Sequence, residues 1–395
     1  MDDATPSTAQ VARAIGTTPA TLRRWLARGL ISQYDGRWTA AAVAHARLVA
    51  RMRERGHSLE QIREAGDSGR LAFGYLQGLL PSGEATHTLG QAVSDTGLEA
   101  ALIERILTTL GLPAGAVDRI SESEIELLRY SAAVLAAGFP LIAFLQLVRV
   151  YGQALAQIAD AEVRLFHMYV HEPLMREGVP GVEMAEQMQG LAAELLPLTS
   201  PVMDVVHRRL LGHFVDQDVI GHMETDLDPR ERLALGHLRI AIAFADLAGY
   251  TRLTEEIGDE HAVDIVERFV SEVEYTLPDD ARIVKTIGDE VMVVGGDVAA
   301  LVDWAVGFQA LHATRPLPRI GMHFGEVLYR DGDYYGREVN QAARVAARAG
   351  AGEVLVTRGV VAGAGAHLDF EHIGDVRLKG FSDATELYLA RARPG

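Results

Sequence analysis

The sequence contains no cysteine. Disulfides, thiolate metal centres and a cysteine nucleophile are therefore excluded, and any metal must be held by oxygen or imidazole. Lysine is nearly absent: of 37 basic residues, only Lys285 and Lys379 are lysines. Where arginine serves everywhere else, a retained lysine marks a place for a compact point charge, because the two side chains are not interchangeable. Positive charge is scarce as a whole. The formal net charge is −17, which disfavours general affinity for nucleic acid. The polar, acidic start MDDATPST does not read as a signal peptide. A long unbroken hydrophobic run is also missing. Residues 130–148 carry no charge, but Gly138-Phe139-Pro140 divides them. That predicts two short buried helices meeting at a turn, and no stable membrane insertion. A soluble, cytoplasmic chain is the expectation.

What is present is enough apolar sequence, 48% of 395 residues, for two or three domains with cores of their own. Residues 1–70 carry short helices. Within 9–30, Val11, Ala12 and Ile15 form one apolar face, Gly16 ends the helix, and Thr18 caps the next. Pro19 suits its first position, and Leu22, Trp25 and Leu26 turn inward. Helices are expected at 40–55 and after Ser58. Residues 71–228 read as a bundle of six or more helices with breaks near Pro81, Pro113, Gly138, Pro180 and from Pro197 to Pro201. Residues 89–112 faintly echo the first helix-turn-helix.

A linker at 229–238 precedes a domain of different texture, 239–395. Residues 240–245 are continuously apolar, as a central strand covered on both faces requires. A helix follows, with Ala262, Val263, Val266, Phe269, Val270 and Val273 on one side. Residues 283–287 and 291–294 flank a Gly288-Asp289 turn as a hairpin, and a helix spans 299–312. Residues 319–324 and 326–329 read as two strands, followed by a helix at 337–349 and a strand at 353–356. The pattern predicts an α+β, ferredoxin-like βαββαβ domain behind an all-α N-terminal region.

Asp246 ends a buried strand and leads through a glycine-containing turn into a helix, a suitable place for a metal and a phosphate. Asp289 lies in the hairpin turn, and the two carboxylates converge if their strands are neighbours. Paired carboxylates holding hard cations serve phosphoryl and nucleotidyl transfer. Taken singly, either aspartate reads equally as a turn or cap residue. Asn340 and Arg344 are four apart on a helix and share a face, which alone is also consistent with an ordinary solvated surface. Arg348 continues that spacing as a surface residue.

In these residues and their spacing the sequence resembles the class III nucleotidyl cyclases. The motifs are FADLAGYT (244–251), KTIGDEVM (285–292), RIGMHFGEV (319–327), DYYGREVNQAAR (333–344) and LKG (378–380). The resemblance implies a set of roles. Asp246 and Asp289, with Leu247, would bind two Mg²⁺ or Mn²⁺ ions. Lys285 and Asp333 would read the purine, and Asn340 and Arg344 would position the ribose and stabilise the transition state. Lys379 and Arg319 would meet phosphate, and Phe244, Gly249, Tyr250 and Thr251 would line the substrate site. The implied reaction converts ATP to cyclic AMP and pyrophosphate. Each implied site lies between two cyclase domains, so the resemblance implies a head-to-tail homodimer. Adenine presents an acceptor at N1 and a donor at its 6-amino group, which Lys285 and Asp333 complement; guanine has the opposite pattern.

Residues 8–64 resemble the helix-turn-helix of MerR-type regulators. Nine arginines against two acids between residues 8 and 56 give a local basic patch, with Arg23, Arg24 and Arg28 on or near the second helix. The short wing after Leu30 favours packing against protein over DNA. Residues 71–228 resemble the regulatory domain of actinobacterial cyclases, including mycobacterial ones. Six histidines, at 167, 171, 207, 213, 222 and 237, allow a proton regulator but read equally as scattered or satisfied side chains. A lipid or other apolar ligand between the helices is a further regulator to consider. The competing reading for the whole chain is a DNA-binding transcription regulator that uses the cyclase-like domain as a nucleotide sensor. A guanylyl cyclase is opposed by Lys285 and Asp333, and a nucleotide-binding scaffold would bind without releasing pyrophosphate.

Overall fold

The structure is a computed structural model that describes residues 6–33, 36–71, 85–112, 120–179, 181–225, 234, 236–312 and 314–393. The chain divides into two compact units, residues 1–211 and 212–395.

The first unit begins with α1 (Thr8–Ala14), α2 (Pro19–Ala27), α3 (Ala40–Glu54) and α4 (Leu59–Asp67). Local chemistry sets each start. Ser7, Thr18, Thr39 and Ser58 accept N-terminal amide hydrogens from the helices they cap, and Pro19 occupies the first turn of α2. Gly16 takes a left-handed φ of 69° between α1 and α2. Val11, Leu22, Trp25, Trp38, Val49 and Ile62 close a small core. Next come β1 (Ala85–His87), α5 (Leu89–Thr96), α6 (Ala100–Thr109), β2 (Ile120–Ser121) and α7 (Glu122–Ala136). The β1–β2 ribbon is a departure from the all-helical expectation. Thr88 and Gln91 box the start of α5 as Ser7 and Gln10 box α1, which gives the faint sequence echo a physical basis. The expected breaks at Pro81, Pro113 and Pro180 lie outside the described residues.

Residues 130–148 do divide at Gly138, but the helix beyond the turn is neither short nor largely buried. It is α8 (Leu141–Phe166), which passes through a π-helical turn, His167–His171, into α9 (Glu172–Arg176). Leu141–Arg176 is long and apolar enough, by length and composition alone, to cross a membrane. Its first turns enter a core through Phe144, Leu145 and Val148, and its last turns pack Phe166, Val170, Leu174 and Met175 against buried Met184 and Met188. His171 is buried and shares hydrogen bonds with His167 and the Gly69 carbonyl, both at 3.0 Å. His207 and His213 are exposed.

The break expected from Pro197 to Pro201 is absent. One helix, α10 (Gly181–Thr225), runs through both prolines. Each proline deprives the carbonyl four residues back of its donor. Those carbonyls, on Ala193 and Pro197, sit on exposed turns where water can serve them. Most of the expected 229–238 linker lies outside the described residues.

The second unit continues with β3 (His237–Leu247), α11 (Tyr250–Ile257), α12 (Asp259–Thr276), β4 (Ala281–Ile287), β5 (Glu290–Gly295) and α13 (Val298–Leu311). It is completed by β6 (Pro318–Arg330), β7 (Asp333–Tyr335), α14 (Arg337–Arg348), β8 (Val354–Thr357), α15 (Arg358–Gly363), β9 (Leu368–Arg377) and β10 (Ala384–Ala392). The sheet order is β4-β5-β3-β6-β8-β10-β9, with β7 on β6. Only β6 and β8 pair in parallel. Ala241, Ala243, Ala245 and Leu247 face α12 and α13, whereas Ile240, Ile242 and Phe244 face α14. Val263 is exposed and not part of the α12 core face. The two strands expected at 319–324 and 326–329 are one, β6. Gly325 does not turn the chain; it leaves room for the side chains beside it.

His45 is buried on α3, and burial lowers its pKa from 6.5 to about 4. Between those values the unfolded chain takes up a proton that the folded helix refuses. Stability of the first helices is therefore expected to fall by about 3 kcal/mol as pH drops from 6.5 to 4. Denaturant unfolding followed through the buried Trp25 and Trp38 checks this, and His45→Gln should flatten the slope.

Candidate active site

Asp246 is the last polar step of a strand that is otherwise wholly apolar from Ile240 onward. Alternation points it to the α14 side, and its register partner on β6 is Arg319. Arg319 Nε donates to Asp246 Oδ2 at 2.8 Å, and Nη2 makes a second bond to the same oxygen. On the other side of β3, the register Ala245–Val291 brings the β4–β5 turn alongside. Asp289 there is hydrogen-bonded to Asp246. Burial first, then that hydrogen bond and the Asp246 charge, push Asp289 up to about 7. Glu290 is raised by burial and by the Asp246 charge, against the opposing charges of Arg319 and Arg344.

Converging carboxylates, one of them raised by burial and by the other's charge, fit a divalent cation, which relieves the same repulsion with more charge. Among the described residues, no group of three or more His, Asp or Glu side chains forms a metal cluster. The pair thus suits an ion that takes its remaining ligands from water and phosphate, as Mg²⁺ does. Gly249, with a left-handed φ of 82°, opens α11, and no side chain caps its first turn. Thr251 is exposed there, and Tyr250 leans on the core. Leu247 has its side chain in the core, so only its main-chain carbonyl could serve a cation. Phe244, expected to line the substrate site, has its side chain buried among Ile242, Met292 and Ala342 beneath α14, in the core rather than on an open surface.

A second cluster forms across β4 and β7. Lys285 Nζ donates to Asp333 Oδ2, and the Tyr334 amide donates to Asp333 Oδ1 at 2.8 Å. Both charged side chains remain about one-third exposed. Among the described residues, no hydrogen bond or ion pair joins this cluster to the Asp246–Asp289 pair. Lys379 is exposed in the β9–β10 turn.

Asn340 and Arg344 lie on α14 opposite its buried Ala342, Val345 and Ala346, and both are exposed. The seat of this helix is unusual. A Cβ on Gly321 would lie 1.9 Å from the Ala346 amide nitrogen. A Cβ on Gly325 would lie 2.9 Å from His323 Nε2 and 3.0 Å from Glu338 Cγ. Between the two glycines, buried His323 bonds Glu338 in the first turn of α14 and Thr357 Oγ1 at 2.9 Å. Burial lowers the His323 pKa, against the pull of Glu338. Sequence reasoning assigned no role to His323, Glu338, Arg282 or Tyr334. For His323 the signal was visible: a polar residue with glycine two positions away on each side, all on one strand face.

Comparison with known proteins places both units. Residues 235–391 match the adenylate and guanylate cyclase catalytic domain, and residues 27–214 match the adenylate cyclase regulatory domain. An uncharacterized protein of Mycobacterium tuberculosis is 32% identical over 80% of this chain and 83% of its own length. An adenylate cyclase of Streptomyces coelicolor is 30% identical over 71% of this chain and 72% of its own length. A pH-sensitive adenylate cyclase of M. tuberculosis is 26% identical over 89% of both.

Gly325→Ala is expected to cost about 1–3 kcal/mol of stability by forcing His323 and Glu338 apart. Denaturant unfolding of the second unit measures it, and an unchanged midpoint would contradict the close seating of α14.

Proposed function

The chain belongs to the family of adenylate and guanylate cyclases, and we propose that it forms cyclic AMP from ATP at sites shared between two copies. The observation that carries the choice of ATP is the Lys285–Asp333 pair. Lys285 donates to adenine N1, and Asp333 accepts from the 6-amino group. Guanine would leave both charged groups mismatched, at a cost of about 1–3 kcal/mol.

Asp246 and Asp289 would hold two Mg²⁺ or Mn²⁺ ions against the triphosphate, and bound ions would supply charge neutralisation and a more acidic ribose 3′-hydroxyl. The residues of the chain do the rest. The amide groups at the start of α11 face phosphate oxygens. Asn340 holds the ribose, and Arg344 meets charge developing at the α-phosphate. The 3′-hydroxyl loses its proton to solvent, its oxygen bonds to the α-phosphorus in line, the bond to the bridging oxygen breaks, and pyrophosphate leaves. Lys379 and Arg319 are candidates for the released phosphates; Arg319 would first let go of Asp246. Among the described residues no hydrogen bond or ion pair joins the two clusters, and Asn340 and Arg344 are exposed, as two halves of different sites would be. That supports a head-to-tail homodimer. The order β4-β5-β3-β6 supports the ferredoxin-like reading of the catalytic core.

The helical region is read as the controlling part, with a proton or an apolar small molecule as its signal; a relative is named for pH sensitivity. The MerR-like reading of α1–α4 rests on their caps and spacing. Arg23, Arg24 and Arg28 are exposed on and just after α2, which is the one observation favouring the DNA-binding alternative.

Purified full-length chain, given ATP and GTP separately with Mn²⁺ and Mg²⁺, is expected to form cyclic AMP with at least about tenfold preference for ATP. Asp246→Ala should lower the rate by about a hundredfold or more. Nucleotide binding without pyrophosphate release would overturn the reading.

A further inference from the structure

The last turns of α10 belong to the second unit, and they rest on the strand that carries Lys285. Arg282 on β4 is held from two sides. Its guanidinium lies over the ring of Phe214 from α10, 5.0 Å from the centroid, and 5.6 Å from that of Tyr334 on β7. Arg282 Nη2 also donates to Tyr334 Oη at 2.6 Å. One turn further along α10, Gln217 Nε2 donates to the Asp279 carbonyl at 2.5 Å, just before β4.

Strand geometry connects this contact to the purine pair. Residues 282 and 285, three apart, would face opposite sides of a regular strand. A bulge between Ile283 and Lys285 inserts one residue, so Arg282 pairs with Val294 and Lys285 with Met292. Val294 and Met292 share the α14 face with Tyr334. The bulge therefore puts both cations on the side where Asp333 and Tyr334 approach. Lys285 takes Asp333, and Arg282 takes the next residue, Tyr334.

We propose that Arg282 is a positioning residue: it ties the end of α10, through Phe214, to the Lys285–Asp333 pair, so that the position of α10 sets affinity for, and choice of, the nucleobase. The inference rests on the purine-reading role of that pair. A planar guanidinium suits the task because it stacks on two rings and donates at its edge at once, which a lysine ammonium cannot do. Regulation through this contact acts on substrate binding before it acts on the chemical step.

The test uses the full-length chain, with kcat and KM measured for ATP and GTP. Arg282→Met is expected to raise KM for ATP by about three- to tenfold and to narrow the ATP:GTP preference by a similar factor, with a smaller change in kcat. Phe214→Ala, on an exposed helix face, should move both quantities in the same direction, and Phe214→Tyr should restore them. Lys285→Ala serves as the reference and should also narrow the preference. If Lys285→Ala shifts the ATP:GTP ratio while Arg282→Met and Phe214→Ala leave it unmoved, the purine reading stands and the positioning role is wrong. If Lys285→Ala itself leaves the ratio unmoved, the purine reading fails and takes this inference with it.

Discussion

Helix α14 lies against β6 at a distance that only two missing side chains permit. Gly321 gives the Ala346 backbone its place, and Gly325 gives the His323–Glu338 pair its place. Everything on the outer face of that helix inherits its position from this seat. In the proposed role Asn340 and Arg344 need a fixed height above the sheet, because a transition-state contact loses most of its worth when displaced by an ångström. The seat is also one-sided. Small residues face the sheet, and Asn340 and Arg344 face outward.

The same logic runs through the rest of the second unit. The buried strand β3 carries one carboxylate at its end, and the β4–β5 turn supplies another. Arg319 neutralises part of that charge through its two bonds to Asp246. On the far strand, a single bulge aligns two cations that a regular strand would separate. One of them holds Asp333, and the other holds the neighbouring tyrosine and the end of α10. Each of the two clusters is thus organised by a local exception to regular structure: glycine under a helix, and a bulge in a strand.

Much of this was legible in the sequence. The cap of α2, the start of α4 after Ser58, the core strand at 240–245, the Gly288-Asp289 hairpin and the helix bearing Asn340 and Arg344 all follow from short-range chemistry, and the structure places them as expected. Failures arose where a short-range signal had two meanings. Gly325 reads as a strand break but works as clearance. Pro197 and Pro201 read as helix ends, yet exposed turns let water take the carbonyls they orphan. Phe244 stands within a site motif, but strand alternation buries it. The β9 and β10 strands and the β1–β2 ribbon gave no strong period at all. The Arg282 bridge joins residues 214, 282 and 334, which no local pattern connects.

The central claim is that one chain holds two incomplete halves that only a second copy completes. Mixing two inactive full-length variants tests it: Asp246→Ala lacks one half, and Asn340→Ala lacks the other. Each heterodimer would contain one intact site, so an equal mixture should regain on the order of a quarter of wild-type cyclase activity. A mixture as inactive as its components, under conditions where subunits exchange, would contradict the shared site.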